Sequence, residues 1–228
     1  MNNHLNYCLQ NSTIILTDIN EFDGERSLYE QKNLPFTLKD FYDKVFYMDY
    51  QRSGYRNEHV ERKQWPSFNR AFYSFIYDYL TIPTFNQFVN LYMQGITKPL
   101  EEDVEKGLVG RLSRTYPAFM REVQVLLYLQ KKGWNAKYST YDDLNGVDVS
   151  IDLGKVELGL RMHSGSQTAK DYATYKENFR QNYKGRMTEE FGMEHWFCIG
   201  DNDLRLHSKR DINRLLGMIH YYKKLAAN

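Results

Sequence analysis

The stretch "GVDVSIDLGKVELGLRMHSG", residues 146–165, decides how this chain is read. Apolar and polar positions alternate on either side of Asp152-Leu153-Gly154, which predicts two short antiparallel strands joined by a tight turn. Each strand carries one acid, Asp148 in the first and Glu157 in the second. Pairing the strands about a turn at Asp152 to Gly154 sets the two acids roughly opposite one another, with Val147, Val149, Val156 and Leu158 on the other face. Carboxylates so placed repel, and the repulsion is relieved by a raised pKa or by a bound cation. A hard divalent ion such as Mg2+ (or Mn2+), held by carboxylates together with water and phosphate oxygens, suits this donor set. The plainer alternative is a solvated face carrying ordinary surface acids.

Upstream, "PAFMREVQVLLYLQKKG" opens on Pro117 and stops at Gly133, with Phe119, Met120, Val123, Leu126 and Leu127 spaced as one apolar helical stripe. Glu122 lies at the edge of that stripe. A carboxylate directed at a sheet is costly unless paired or bound to metal, whereas at a rim position it bends out to water. "NAKYST" precedes the hairpin as a further short strand. Downstream, "TAKDYATYKENFRQNYKG" reads as a helix on which Tyr172, Lys176, Arg180 and Lys184 recur at intervals of four, making a polar-basic face or a merely solvated one. "HWFCIG" is expected to be a buried strand and "LRLHS" another, and Ser208 is expected to cap a last helix bearing Ile212, Leu215, Leu216, Ile219 and Tyr222.

The first half is mostly helical. "STIILTDI" (12–19) is predicted as a strand, and Thr37, Ser67 and Thr84 stand before amphipathic helical runs. "TKPLEEDVEKGLVGRLSR" combines a cap, an early Pro and an acidic first turn, so a separate fourth helix is expected to end before Pro117. Between the first two helical runs, "DYQRSGYRNEHVERKQWPSFNR" (49–70) interleaves Arg52, Arg56, Arg62, Lys63 and Arg70 with Tyr50, Tyr55, Trp65 and Phe68. Such a mixture suits a phosphate backbone and stacked bases, although Glu58 and Glu61 dilute it; a plain surface loop or a homodimer contact is the alternative.

Composition sets the outer bounds. Among 228 residues, 30 Lys+Arg face 29 Asp+Glu, so only local clustering bears on a polyanionic partner. Cys8 and Cys198 form no CxxC, which argues against zinc and disulfide frameworks and suits a reducing cytoplasm. No basic start with a long apolar run is present, so secretion and membrane spanning are not expected. There is no P-loop, dinucleotide fingerprint or Ser/Cys nucleophile pattern, and His163, His195 and His207 lack a His partner at metal-ligand spacing.

A Glu-bearing helix, a strand, a "G-V-D" strand, a tight turn, a strand with an acid in an apolar run, a helix and a further strand together resemble the core of the PD-(D/E)xK (restriction endonuclease-like) nuclease superfamily. The resemblance covers residues 116 to about 200. It implies an α/β fold, a mixed β-sheet flanked by helices, with residues 1–114 a mainly helical region for recognition or dimer contacts and 115–228 the nuclease-like core. It implies a metal-dependent DNA endonuclease, restriction- or resolvase-like and of phage or mobile-element origin, in which Asp148, Glu157 and Glu122 hold Mg2+. The family's lysine falls two positions after the second acid, where this chain has Gly159. Arg161 is next on that strand face, placed to meet a scissile phosphate but always protonated and so unsuited as a base. Lys176 or Lys170 would replace the lysine from the following helix, with Arg180 and Lys184 beside it on the DNA. The alternative expectation is a catalytically inactive nuclease-fold protein that binds nucleic acid or a protein partner.

Overall fold

Polar caps before apolar stripes start helices where the sequence places them. In the computed structural model, which describes residues 33–62, 65–96, 98–138, 147–164 and 186–227, Thr37 and Asp40 form a reciprocal capping box at the head of α1 (Leu38–Phe46). Thr84 and Gln87 do the same for α4 (Phe85–Gln94), and Ser67 accepts from the Arg70 N–H at the start of α3 (Phe68–Tyr79). The expected 49–70 loop contains one short helix, α2 (Glu58–Arg62). The strand expected at 12–19, Lys63, and the basic helix bearing Lys170, Tyr172, Lys176, Arg180 and Lys184 lie outside the described residues.

The break expected before Pro117 is absent: α5 runs unbroken from Glu102 to Lys131 with Pro117 inside it. A proline there removes the N–H that would bond the carbonyl four residues back, that of Ser113. The Tyr50 hydroxyl donates to that carbonyl at 2.6 Å, so the acceptor is satisfied and the helix continues.

The chain divides into two compact units within α5. The described part of the first comprises residues 34–62, 65–96, 98–119 and 199–204, and that of the second 33, 120–138, 147–164, 186–198 and 205–227. The first unit has an aromatic core in which Tyr50, Phe72, Phe85, Phe88, Phe119 and Tyr116 pack edge-on or tilted, Phe88 and Tyr116 alone being stacked, with ring centroids 4.9–6.1 Å apart. Tyr116 is fully buried, and its hydroxyl donates to the Pro83 carbonyl at 2.6 Å.

The second unit holds a four-stranded mixed sheet in the order β1 (Ala136–Lys137), β2 (Val149–Asp152), β3 (Glu157–His163), β4 (Arg186–Gly192). Its first two pairings are antiparallel and β3–β4 is parallel. Strand β4 is absent from the sequence-based expectation, since in "RMTEEFG" Glu189 interrupts the alternation that Met187 and Phe191 would otherwise make. The expected buried strand in "HWFCIG" is instead β5 (Trp196–Phe197), paired only with β6 (Leu206–His207) in a separate ribbon that leaves Trp196 49% exposed. Helix α6 (Lys209–Ala227) follows, with Ser208 accepting from the Asp211 N–H. It reaches β4 through the Tyr222 hydroxyl, which donates to Glu189. No described helix is long and apolar enough to cross a membrane.

Candidate functional site

The turn sets the register of the acidic hairpin. Leu153 N–H donates to the Val156 carbonyl at 3.0 Å, which makes Gly154 and Lys155 the central turn residues. Gly154 takes φ +99°, a region open to glycine and favoured at the first central position of such a two-residue connection. Asp152 is committed to this turn: one carboxylate oxygen accepts from the Gly154 N–H at 2.7 Å and the other from the Asn135 amide at 3.2 Å. The ladder accordingly pairs Asp152 with Glu157 and Val149 with Leu160.

Asp148 and Glu157 are therefore not opposite one another, because the turn lies further along the chain than the Asp152–Gly154 centre assumed from sequence. Asp148 donates its N–H to the Leu160 carbonyl at 2.8 Å, and its carboxylate accepts the Met162 N–H. Met162 is five residues along β3 from Glu157, about 16 Å of strand at ~3.3 Å per residue. Two ligands of one Mg2+ lie within about 4 Å of each other, so these carboxylates do not fit a shared ion. Among the described residues no group of three or more His, Cys, Asp or Glu side chains is placed to hold a metal. Glu122 is buried in α5, 5% exposed, in keeping with an inward-directed carboxylate.

The register gathers polar groups on one face of the sheet. Ser150, Glu157, Gly159, Arg161 and His163 share that face with Lys137, Thr188 and Glu190, whereas Val149, Ile151, Leu158, Leu160 and Phe191 take the other. Arg161 is 9% exposed, and its Nη1 lies 3.8 Å from Glu190 Oε1 on the neighbouring strand. Arg161 thus offsets the charge of Glu190 across the β3–β4 pair, whereas Asp152 and Glu157 are cross-strand neighbours of like charge. At Gly159, a Cβ would stand 3.0 Å from both γ-methyls of Val147, which occupies the space into which a longer side chain would have to grow.

A second polar network in the same unit escaped the sequence reading. The Gln124 amide bonds both backbone groups of His207, accepting from its N–H at 2.8 Å and donating to its carbonyl at 2.9 Å. His207 Nδ1 lies 3.4 Å from Asp211, which also accepts the backbone N–H groups of Glu194 and His195. Burial holds the His207 pKa down to about 4 against the opposing pull of Asp211. These contacts lock β6 and the head of α6, and they explain a histidine that sequence alone left without a role.

In the first unit, the residues from Tyr50 to Asn57 lie along the N-terminal half of α5. Ser53 N–H donates to the Ser113 hydroxyl at 2.8 Å, the Arg114 guanidinium donates to the Tyr55 carbonyl, and the Asn57 amide donates to the Asp103 carbonyl at 3.3 Å. Close approach requires glycine on the helix: a Cβ at Gly110 would stand 2.5 Å from the Tyr55 carbonyl oxygen, and one at Gly107 2.5 Å from Asn57 Cβ. The segment so fastened presents Arg52, Tyr55 and Arg56 to solvent. Arg114, which the sequence reading missed, pairs with Glu61. Its pKa is lowered by burial, raised by Glu61 and lowered again by the positive fields of Arg56 and Arg52, so each of these two lies within electrostatic reach of Arg114. Arg62 pairs with Glu58 at 3.2 Å along α2, and the Asp203 carboxylate accepts the Arg52 N–H at 3.2 Å. Among the described residues neither Arg52 nor Arg56 makes a side-chain ion pair.

Compared with known proteins, the chain matches no family model, no curated protein and no solved structure.

Proposed function

We propose that the protein binds nucleic acid by its phosphate backbone through Arg52 and Arg56, on a segment that Arg114 holds in place, and that its second unit is a nuclease-like core lacking the two-carboxylate metal centre. The observation that carries this reading is a segment presenting Arg52 and Arg56 to solvent while Ser113 and Arg114 of α5 hold its backbone by hydrogen bonds. Like charges held together cost free energy in the free protein, and an anionic backbone recovers that cost. Anchoring the segment in advance lowers the ordering entropy that binding would otherwise incur. Tyr55, 43% exposed between the two arginines, adds a surface on which a base or sugar can pack.

The test is fluorescence anisotropy of a labelled DNA duplex across a salt series. Binding is expected to weaken linearly in log affinity against log salt, and the paired substitution Arg52→Glu with Arg56→Glu is expected to abolish it while the fold persists. Salt-independent binding, or an unaffected double variant, refutes the reading. A second reading, the metal-dependent endonuclease, is supported by the element order of helix, three strands and a further parallel strand. It requires cleavage of DNA with Mg2+ or Mn2+ that is lost in Asp148→Asn or Glu157→Gln. Binding without cleavage in either metal is the outcome expected here.

A further inference from the structure

We infer that the β5–β6 ribbon and the first turn of α6 form a second nucleic-acid surface, on which an unpaired base stacks against Trp196 while Arg205, Lys209 and Arg210 meet the adjoining phosphates. This deepens the binding reading above by naming the kind of strand recognised. Its observations come from the second unit alone.

Trp196 is 49% exposed, an unusual position for the largest apolar side chain in a protein that buries Trp65. Its ring is not idle, for the Arg205 guanidinium carbon lies 4.3 Å from the ring centroid, a cation–π contact that holds the indole plane in place. Arg205 is exposed, and its backbone carbonyl accepts from Arg121 Nη1 at 3.5 Å.

The ribbon is continuous with a helix start of unexpected charge. Ser208 N–H donates to the His195 carbonyl at 3.0 Å, which ties the cap of α6 to the residue preceding Trp196. The next two residues, Lys209 and Arg210, are exposed cations in the first helical turn. That is the positive end of the helix dipole, where cations destabilise and acids are favoured. The nearby acids do not neutralise them: Asp211 is fully buried and accepts the Glu194 and His195 N–H groups, and Glu194 pairs with Arg214 at 3.0 Å. Exposed cations placed against the dipole, beside a half-exposed tryptophan under an arginine, are complementary to a chain of phosphates bearing a free base. A duplex keeps its bases stacked on each other, so a single strand is the better partner.

The experiment compares binding of the full chain to a labelled oligothymidylate and to a DNA duplex of equal length, for the wild type, Trp196→Ala, Trp196→Phe and Lys209→Glu with Arg210→Glu. Trp196→Ala is expected to weaken single-strand binding about tenfold and leave duplex affinity within about twofold, in line with the contribution of one stacked base. Trp196→Phe is expected to retain most of the affinity, and the double charge reversal to flatten the salt dependence. Quenching of wild-type tryptophan fluorescence by the oligothymidylate reads the stack without any substitution. Unchanged single-strand affinity in Trp196→Ala, or wild-type binding to duplex alone, overturns this inference and leaves the Arg52/Arg56 reading standing. Wild-type protein that binds neither strand type overturns both.

Discussion

Replacing Gly110 by alanine separates helix propensity from the demands of the anchored segment. In an open helical site, glycine to alanine stabilises by about 0.5–1 kcal/mol, because glycine loses more backbone freedom on folding. At Gly110 the added methyl would stand 2.5 Å from the Tyr55 carbonyl oxygen, a backbone atom held on the same side by Arg114. Overpacking of that kind costs about 1–3 kcal/mol, and displacing the segment also weakens the Arg114 hydrogen bond, worth roughly 1 kcal/mol at a partly exposed site. The net expectation is a loss of about 1–2 kcal/mol, or roughly 2–8 °C in Tm for a chain of this size. Gly217 on α6 supplies the matched control, since a Cβ there meets nothing within 4 Å. Thermal melts by circular dichroism should therefore show Gly110→Ala falling and Gly217→Ala rising, and only Gly110→Ala should weaken DNA binding, because it moves Arg52 and Arg56. If both substitutions raise Tm alike, the segment is not seated on the helix as described, and the argument for a preorganised arginine cluster fails with it.

Three further outcomes follow from the second unit. Because the folded His207 pKa lies near 4 and the unperturbed value is 6.5, the unfolded chain takes up the proton first as pH falls. Stability should be full above about pH 6.5 and decline toward pH 4 by up to roughly 3 kcal/mol, and His207→Gln should flatten that slope in urea melts; parallel slopes would count against a buried neutral imidazole. Gln124→Leu strands the buried N–H and carbonyl of His207 and should cost about 2–4 kcal/mol by urea denaturation, whereas a cost below about 0.5 kcal/mol would show the clamp to be dispensable. Asp148→Ala removes the acceptor of the Met162 N–H and should cost about 1–2 kcal/mol, while Asp148→Asn, which keeps a side-chain oxygen there, should cost less than about 1; a Tm raised by Mg2+ in the wild type and not in Asp148→Asn would restore a metal role.

Local sequence carried most of the helices because caps and stripes are short-range signals. Thr37, Ser67, Thr84 and Ser208 each stand where a polar side chain must satisfy the first free N–H groups, and each was legible without a fold. Pro117 misled for a complementary reason: its effect depends on whether Ser113's carbonyl finds another donor, and that donor, Tyr50, is 63 residues away from Ser113. Strand β4 escaped because the apolar run at "HWFCIG" looked more strand-like than "RMTEEFG". Pairing with the buried β3 favours the second, and pairing is a property of the sheet.

The candidate sites divide in the same way. The basic character of 49–70 and the outward position of Arg52 and Arg56 were readable from composition, but Arg114 joined them only when the segment lay along α5, since electrostatic proximity across nearly sixty residues has no local signature. In the hairpin, the sequence by itself determined two antiparallel strands, an apolar face and a glycine turn, because the period-two alternation and the chemistry of glycine act within a few residues. Tertiary structure alone decided where that turn is centred and what each acid meets. A small displacement of the turn moved Glu157 from Asp148 to Asp152, set Arg161 beside Glu190 and packed Val147 over Gly159, and with that the carboxylates no longer converge on an ion.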